Sequence, residues 1–287
     1  MLKATASSRM PVILVTKLKP NGLTMFKPNG LVVVTTDFGT SGSYVGAMRG
    51  AVLQAYGSAR LIDLTHEVPP QDVREASRIL AAAAPFYPDG TVHLVVVDPG
   101  VGTSRREVVV VAGGQAFVGP DNGVLLRVAS VLGLQDARAI EHPHLKLEHV
   151  SSTFHGRDIF GPTAGAVAGG FRISDIGPKV SLVELADSLP AVVVSTTGVR
   201  GHVEAIDHFG NVLTSIHADQ LPAAPFRVAV GGQELTTHVR SYGEVATNTI
   251  VTLVSSEGML EIAQCNGNAS TALGVKPGDL VQVDAIG

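Results

Sequence analysis

Asp98 and Arg105 stand seven residues apart, joined by Pro-Gly-Val-Gly-Thr-Ser. The Pro-Gly-x-Gly part forces a tight turn. Ahead of Asp98, the run from Thr91 to Val97 carries Val at four positions, which reads as a buried strand. A carboxylate at the carboxyl end of a parallel strand lies where open α/β sheets place their ligands. The alternative is a strand–turn–strand corner with a salt-bridged Asp. Two other strand-like runs also end in polar groups: Leu31 to Thr36 runs into Asp37, and Leu61 to Thr65 into His66 and Glu67. A later loop carries His155, Arg157 and Asp158. Arginine can supply only charge and donors, whereas histidine exchanges a proton near neutral pH. Such a set could hold a polar ligand and move a proton.

The elements that must position these residues follow from the apolar pattern. Leu31 to Thr36 is a strand, and Ser43 to Tyr56 has helical spacing with Val45, Met48, Val52 and Tyr56 on one face. Leu61 to Thr65 is a strand, Val73 to Ala84 an Ala-rich helix, and the run before Asp98 a third strand. This β-α-β-α-β order predicts a parallel sheet with helices packed on it. Asp37, His66 and Asp98 then share one edge. Glu107 to Val118 reads as strand with a Gly113-Gly114 hairpin, Val124 to Leu132 as a short helix, Ala137 to Glu141 as strand. A small-residue helix is predicted over Ile159 to Ala168.

From Val192 the texture is strand after strand: Val199 to Ile206, Asn211 to Ile216, Phe226 to Val230, Glu234 to Val239, Ile250 to Val254, Met259 to Gln264 and Leu280 to Val283. Closely spaced short strands predict a small all-β barrel or sandwich. The expected fold is therefore α/β: an N-terminal, mainly parallel sheet with flanking helices, then a smaller C-terminal all-β barrel-like domain. Residues 1–29, where Lys-Pro-Asn-Gly occurs at 19–22 and again at 27–30, read as a leader or flexible arm. A short added strand is the alternative there. The α/β domain is expected over 30–185 and the β domain over 192–287, with a connector between them.

Composition bounds the function. With 45% hydrophobic and 16% charged residues the chain is globular. A formal net charge of -4 gives no electrostatic reason to expect nucleic acid or an anionic membrane as partner. The single cysteine, Cys265, forbids an internal disulfide and allows a reducing compartment. No apolar run reaches the ~20 residues of a membrane helix. P-loop and dinucleotide fingerprints and the Gly-x-Ser-x-Gly elbow are missing. His142, His144 and His149 could bind a metal, but no Cys or His-Glu-x-x-His accompanies them, so a solvated loop is the better reading.

Four motifs occur in one order: Thr36-Asp-Phe-Gly39, Asp98-Pro-Gly-Val-Gly-Thr-x-Arg105, Pro120-Asp-Asn-Gly123 and Ser151-Ser-Thr-Phe-His-Gly-Arg-Asp158. Asp207-x-Phe-Gly-Asn211 and Ser256-x-Gly-x-Leu260 follow. The set resembles the S-adenosylmethionine hydroxide adenosyltransferases, relatives of the adenosyl fluorinase and chlorinase, over about residues 31–285. The resemblance implies attack of water at C5′ of S-adenosylmethionine, giving adenosine and methionine. It implies a water-positioning triad of Asp98, Arg105 and His155, with Asp37 on the ribose hydroxyls. Asp207 and Ser256 would meet the methionine end. Asn211, Tyr242, Gln264 and Asn266 would surround adenine. Ser43, Tyr44, Phe154, Gly156 and Glu257 complete the implied substrate-binding set. It further implies a homotrimer with the substrate at the subunit interface, a cytoplasmic enzyme, and no cofactor or metal.

Alternatives remain open at this point. Asp37 could be a turn or cap residue, and His155 a helix-start histidine bonded to backbone. A halogenase using chloride is one rival, although a carboxylate beside the nucleophile would repel a halide and Gly156 stands where those relatives place a small hydroxyl residue. A non-catalytic S-adenosylmethionine or adenosine binding module is the other, although a pure binder has no need of a water-activating set.

Overall fold

The computed structural model describes residues 25–185, 189–223 and 225–286. Most of the expected leader or arm over 1–29 lies outside them. Of its described part, Phe26 packs against the first core, and Asn29 is bonded to Asp89, Gly90 and Thr91. The chain divides into two compact units, residues 1–186 and 187–287.

Unit 1 runs β1 (Leu31–Thr36), α1 (Tyr44–Ala55), β2 (Arg60–Thr65), α2 (Val73–Ala83), β3 (Val92–Val96), β4 (Glu107–Ala112), β5 (Gln115–Pro120), α3 (Leu126–Leu132), β6 (Leu134–Ala139) and α4 (Gly161–Ala168). Its sheet has the order β2-β1-β3-β5-β4-β6. The first four of these are parallel, and β4 is antiparallel to both β5 and β6. Alternation divides the core in two. Val92, Leu94 and Val96 pack with Met48 and Val52 of α1 and Ala164 and Val167 of α4. Val95 and Val97 pack on the other face with Leu80 of α2 and Val128 of α3. Helices cover both faces, which is why β3 reads as a continuous apolar run.

Local chemistry sets the helix ends. Asp72 caps α2 by accepting the Glu75 N–H at 2.9 Å. The predicted helix over Ile159 to Ala168 begins earlier and differently, with a π turn over Gly156–Phe160 that leads into α4. Wide turns of this kind recur at functional sites. Strand β6 lies earlier than the predicted Ala137 to Glu141, because Val111 and Ala112 of β4 draw Asp136 and Leu134 into the ladder.

Unit 2 holds β7 (Val193–Val194), β8 (Gly198–Ile206), β9 (Val212–His217), β10 (Phe226–Val230), β11 (Gln233–Leu235), β12 (Ile250–Val254), β13 (Met259–Gln264), α5 (Ala269–Leu273) and β14 (Leu280–Ala285). The antiparallel path is β11-β10-β14-β8-β9-β13-β12, with β7 beside β8. The strand predicted over Glu234 to Val239 stops at Leu235. Its continuation bonds to the far edge instead: Thr252 of β12 donates to Thr237 and Val239 donates to Thr252, both at 3.0 Å. That bridge nearly closes the sheet into a barrel and covers an otherwise open edge. Helix α5 was not foreseen. Asn268 caps its start, and Gly274, at φ 65°, ends it in the left-handed region.

Candidate active site

Strands β1, β2 and β3 run parallel, so Asp37, His66 and Asp98 leave the sheet at one edge. Beyond Asp98 the turn folds back and Arg105 returns to it. Arg105 Nε lies 2.9 and 3.0 Å from the two Asp98 oxygens, and Nη2 also donates to Asp98 Oδ2. The same guanidinium donates from Nη2 to His155 Nδ1 at 2.8 Å and from Nη1 to Glu107 Oε1 at 3.0 Å. Its face rests on Phe160, 5.2 Å from the ring centre. Side-chain exposures of 9% for Arg105 and 5% for Asp98 make this a buried ion pair.

Gly102 is what lets the Asp98 loop and the His155 loop meet. It sits at φ 77°, and a Cβ there would lie 2.3 Å from the Ser152 carbonyl oxygen. Ser151 is anchored in turn by Asp158 Oδ2, which accepts its N–H at 2.8 Å. Burial pushes the Asp158 carboxyl up, but Arg157 and the Ser151 N–H more than offset that and hold it below its ordinary range.

The ring of His155 bonds Arg105, not backbone. Burial, then the adjacent Arg105 charge, lowers its pKa, with Glu107 and Asp98 opposing. Because an arginine only donates, Nδ1 of the neutral ring is the acceptor and its proton sits on Nε2. Of the Arg105 N–H groups, those on Nε and Nη2 and one on Nη1 have partners; among the described residues the second on Nη1 has none.

Beside this network lies an aromatic group. Phe38, Tyr44 and Phe154 meet with ring centres 5.3 to 6.0 Å apart. Gly156 faces them: a Cβ there would lie 3.3 Å from Met48 Sδ and 3.4 Å from both Phe154 and Phe38. Asp37 accepts the Gln71 N–H at 2.8 Å on Oδ2, a turn-fixing bond of the kind the alternative reading required. Ser43 precedes α1 without a side-chain capping bond. His66 binds Thr36 Oγ1 at 2.8 Å and so steadies the loop that carries Asp37.

In unit 2, Asp207 folds its turn around itself. Oδ1 accepts the N–H groups of Phe209 and Asn211 at 2.9 and 2.8 Å, and Oδ2 accepts Asn211 Nδ2 at 2.8 Å. Tyr242 donates to Glu261 Oε1 at 2.7 Å. Burial, then the Glu261 carboxylate, pushes the Tyr242 phenol up to about 12, and burial with Asp207 and Glu257 nearby raises Glu261. Asp207, Tyr242 and Glu257 thus gather around Glu261. Ser256 and Glu257 lie in the turn before β13, whereas Gln264 and Asn266 lie at its other end, bonded to Asn248 and Thr247. These two pairs do not form one cluster within the unit.

Sequence reasoning missed Glu107, Lys146 and Glu261. Glu107 opens β4 two residues after Arg105. Of the three histidines considered for a metal, His142 accepts the His144 N–H and its ring meets Phe171.

Comparison with known proteins gives a consistent grouping. Residues 32–177 match the SAM hydroxide adenosyltransferase N-terminal domain and residues 201–282 its C-terminal domain. A protein of Salinispora tropica named (R)-S-adenosyl-L-methionine hydrolase is 40% identical over 262 residues, covering 90% of this chain and 99% of that one. One of the same name from Thermus thermophilus is 37% identical, covering 86% and 96%. Proteins named fluorinase match at 24–26% identity. The crystal structure of an uncharacterized conserved protein from Thermotoga maritima superposes with a TM-score of 0.82 at 39% identity, covering 88% of this chain and 99% of that one.

Proposed function

The chain belongs to the SAM hydroxide adenosyltransferase family, and from that membership we propose that it hydrolyses S-adenosyl-L-methionine to adenosine and L-methionine. The observation that carries the reading is the buried Asp98–Arg105–His155 network, assembled from two loops, one following β3 and one preceding the π turn.

The reaction forms a bond from water oxygen to C5′ and breaks the C5′–S bond, whose electron pair goes to sulfur. The thioether leaves neutral, so no general acid is needed. What remains is to hold the water in line and take its proton. The unused Arg105 N–H suits the water oxygen, and His155 is the group whose protonation can change near neutral pH. Asp98 fixes the guanidinium. Gly156 supplies no hydroxyl at the position where the resemblance places a small hydroxyl residue in the halogenases, which favours water over halide.

In this reading Asp37 takes the ribose hydroxyls, and Phe154, Tyr44, Ser43 and Gly156 line the reacting end. Asp207, Ser256 and Glu257 take the methionine end, and Asn211, Tyr242, Gln264 and Asn266 take adenine. The assembly is a homotrimer with substrate at subunit interfaces, a reading supported by family resemblance alone. A cytoplasmic location fits the single cysteine, and among the described residues no helix is long and apolar enough to cross a membrane. No cofactor enters the chemistry.

The test is incubation of the purified chain with S-adenosylmethionine, with and without chloride, and mass spectrometry of the products. Adenosine and methionine are expected, with Asp98→Ala and His155→Ala each slowing release by about 10²–10⁴-fold. A 5′-chlorinated adenosine would move the chain to the halogenases. Tight binding without turnover would make it a binding module.

A further inference from the structure

His155 Nδ1 has two neighbours of opposite character. Arg105 Nη2, at 2.8 Å, can only donate; Glu107 Oε1, at 3.4 Å, can only accept when ionised. The first partner serves the neutral ring. An imidazolium carries a proton on Nδ1 as well, and no hydrogen bond to Arg105 is then possible. We infer that Glu107 is a positioning residue for the hydrolysis, accepting Nδ1–H of His155 while that ring holds the proton lost by water; the inference rests on the hydrolase reading above.

The surroundings make this role specific to Glu107. The charged groups around the ring are Asp98 after β3, Arg105 and Glu107 at the start of β4, Lys146 after the Pro143–Leu145 turn, and Asp158 in the π turn. Asp98 is already bound through both oxygens to Arg105, and Asp158 to Arg157 and the Ser151 N–H. Glu107 is fixed by Arg105 Nη1 at 3.0 Å and Lys146 Nζ at 3.5 Å, so its Oε1 is held beside Nδ1. Without the Glu107 charge, a protonated His155 would stand beside Arg105 and Lys146 with Asp98 as the remaining close counter-charge. The step balances once the neutral ring has changed tautomer. Its one proton passes through solvent from Nε2 to Nδ1, where Glu107 replaces Arg105 as partner. Nε2 then takes the proton of the water whose oxygen pair goes to C5′, and sulfur keeps the C5′–S pair.

The experiment compares wild type, Glu107→Gln and Glu107→Asp as full chains. It measures the pH dependence of adenosine release and, separately, the NMR titration of His155, assigned with His155→Gln. Glu107→Gln keeps the shape and removes the charge. It is expected to lower kcat at least about tenfold with KM little changed, within the ~10²–10⁴-fold contribution of acid–base catalysis. The His155 midpoint should fall further, because a charge that raises it is gone, and the acid limb of kcat should move down with it. Glu107→Asp should lie between. A lower kcat with an unmoved midpoint and acid limb would overturn the inference and leave Glu107 merely structural. Should wild type release no adenosine, the hydrolase reading fails, while the His155 midpoint still decides whether Glu107 governs the ring.

Discussion

Replacing Arg105 by lysine keeps the positive charge and removes the planar fork, which separates the two contributions of this residue. Arg105 binds Asp98 through Nε and Nη2, Glu107 through Nη1 and His155 through Nη2. A lysine ammonium radiates its donors from one atom and cannot meet all three partners. At least one charge-assisted bond is lost in a buried place, costing about 1.5–3 kcal/mol. For a unit of this size that is about 3–12 °C in Tm. Alanine leaves Asp98 buried without its cation and should cost about 3–5 kcal/mol. Activity should fall further than stability implies. Losing a donor aimed at the reacting oxygen costs about 10²–10³ in kcat. The assay is thermal unfolding together with adenosine release, measured at temperatures where each variant is folded. A lysine variant within about threefold of wild-type kcat and with unchanged Tm would refute the argument from fork geometry.

His93 provides a second test, independent of catalysis. Burial lowers its pKa to about 4, with the Gln115 bond opposing weakly. The unfolded chain binds that proton at about 6.5 and the folded chain only near 4, so stability is complete above the first value and falls as pH drops toward the second, by about 3 kcal/mol. His93→Leu should flatten this acid loss in urea unfolding at about pH 7 and about pH 4.5, although it strands Gln115 at every pH; equal losses in both proteins would count against the assignment. Gly102→Ala should cost more than about 1 kcal/mol, since φ 77° and the 2.3 Å approach to Ser152 both oppose a side chain, and kcat should fall with it as the His155 loop is pushed from Arg105. Chemical unfolding and adenosine release, measured together, check this; a fully active and stable variant would sink it.

Legibility in the sequence followed how local the determining interaction is. The bounds of β1, β10, β12 and β13 could be read directly, because each is a short apolar run closed by turn residues. Helix α5 escaped because five residues are too few to show a period, although Asn268 and Gly274 marked both its ends. The end of β11 escaped because Thr237 and Val239 are strand-forming residues whose partner, Thr252, is chosen by closure of the sheet and not by local pattern. Asp98, Arg105 and His155 were legible through their motifs. Glu107 was not, since a charged residue opening a strand looks like any solvated rim position until the His155 loop is folded against it.

The same contacts say how the work is divided in the site. Asp98 and Glu107 against Arg105 and Lys146, with Asp158 against Arg157, leave no net formal charge around His155. A free hydroxide would find no surplus of cation there, because the guanidinium is bonded to two carboxylates and the imidazole and retains one N–H on Nη1. Water as the resting nucleophile, deprotonated as it attacks, fits that balance better than preformed hydroxide. The proton needs a group that is neutral before the step and bears charge after it. The other side chains are already committed as ions to one another. His155, held neutral by burial and by Arg105, is the member whose state can change. In the proposed hydrolysis, fixed charges set the geometry, and the one uncharged ring among them takes the proton once Nδ1 has passed from Arg105 to Glu107.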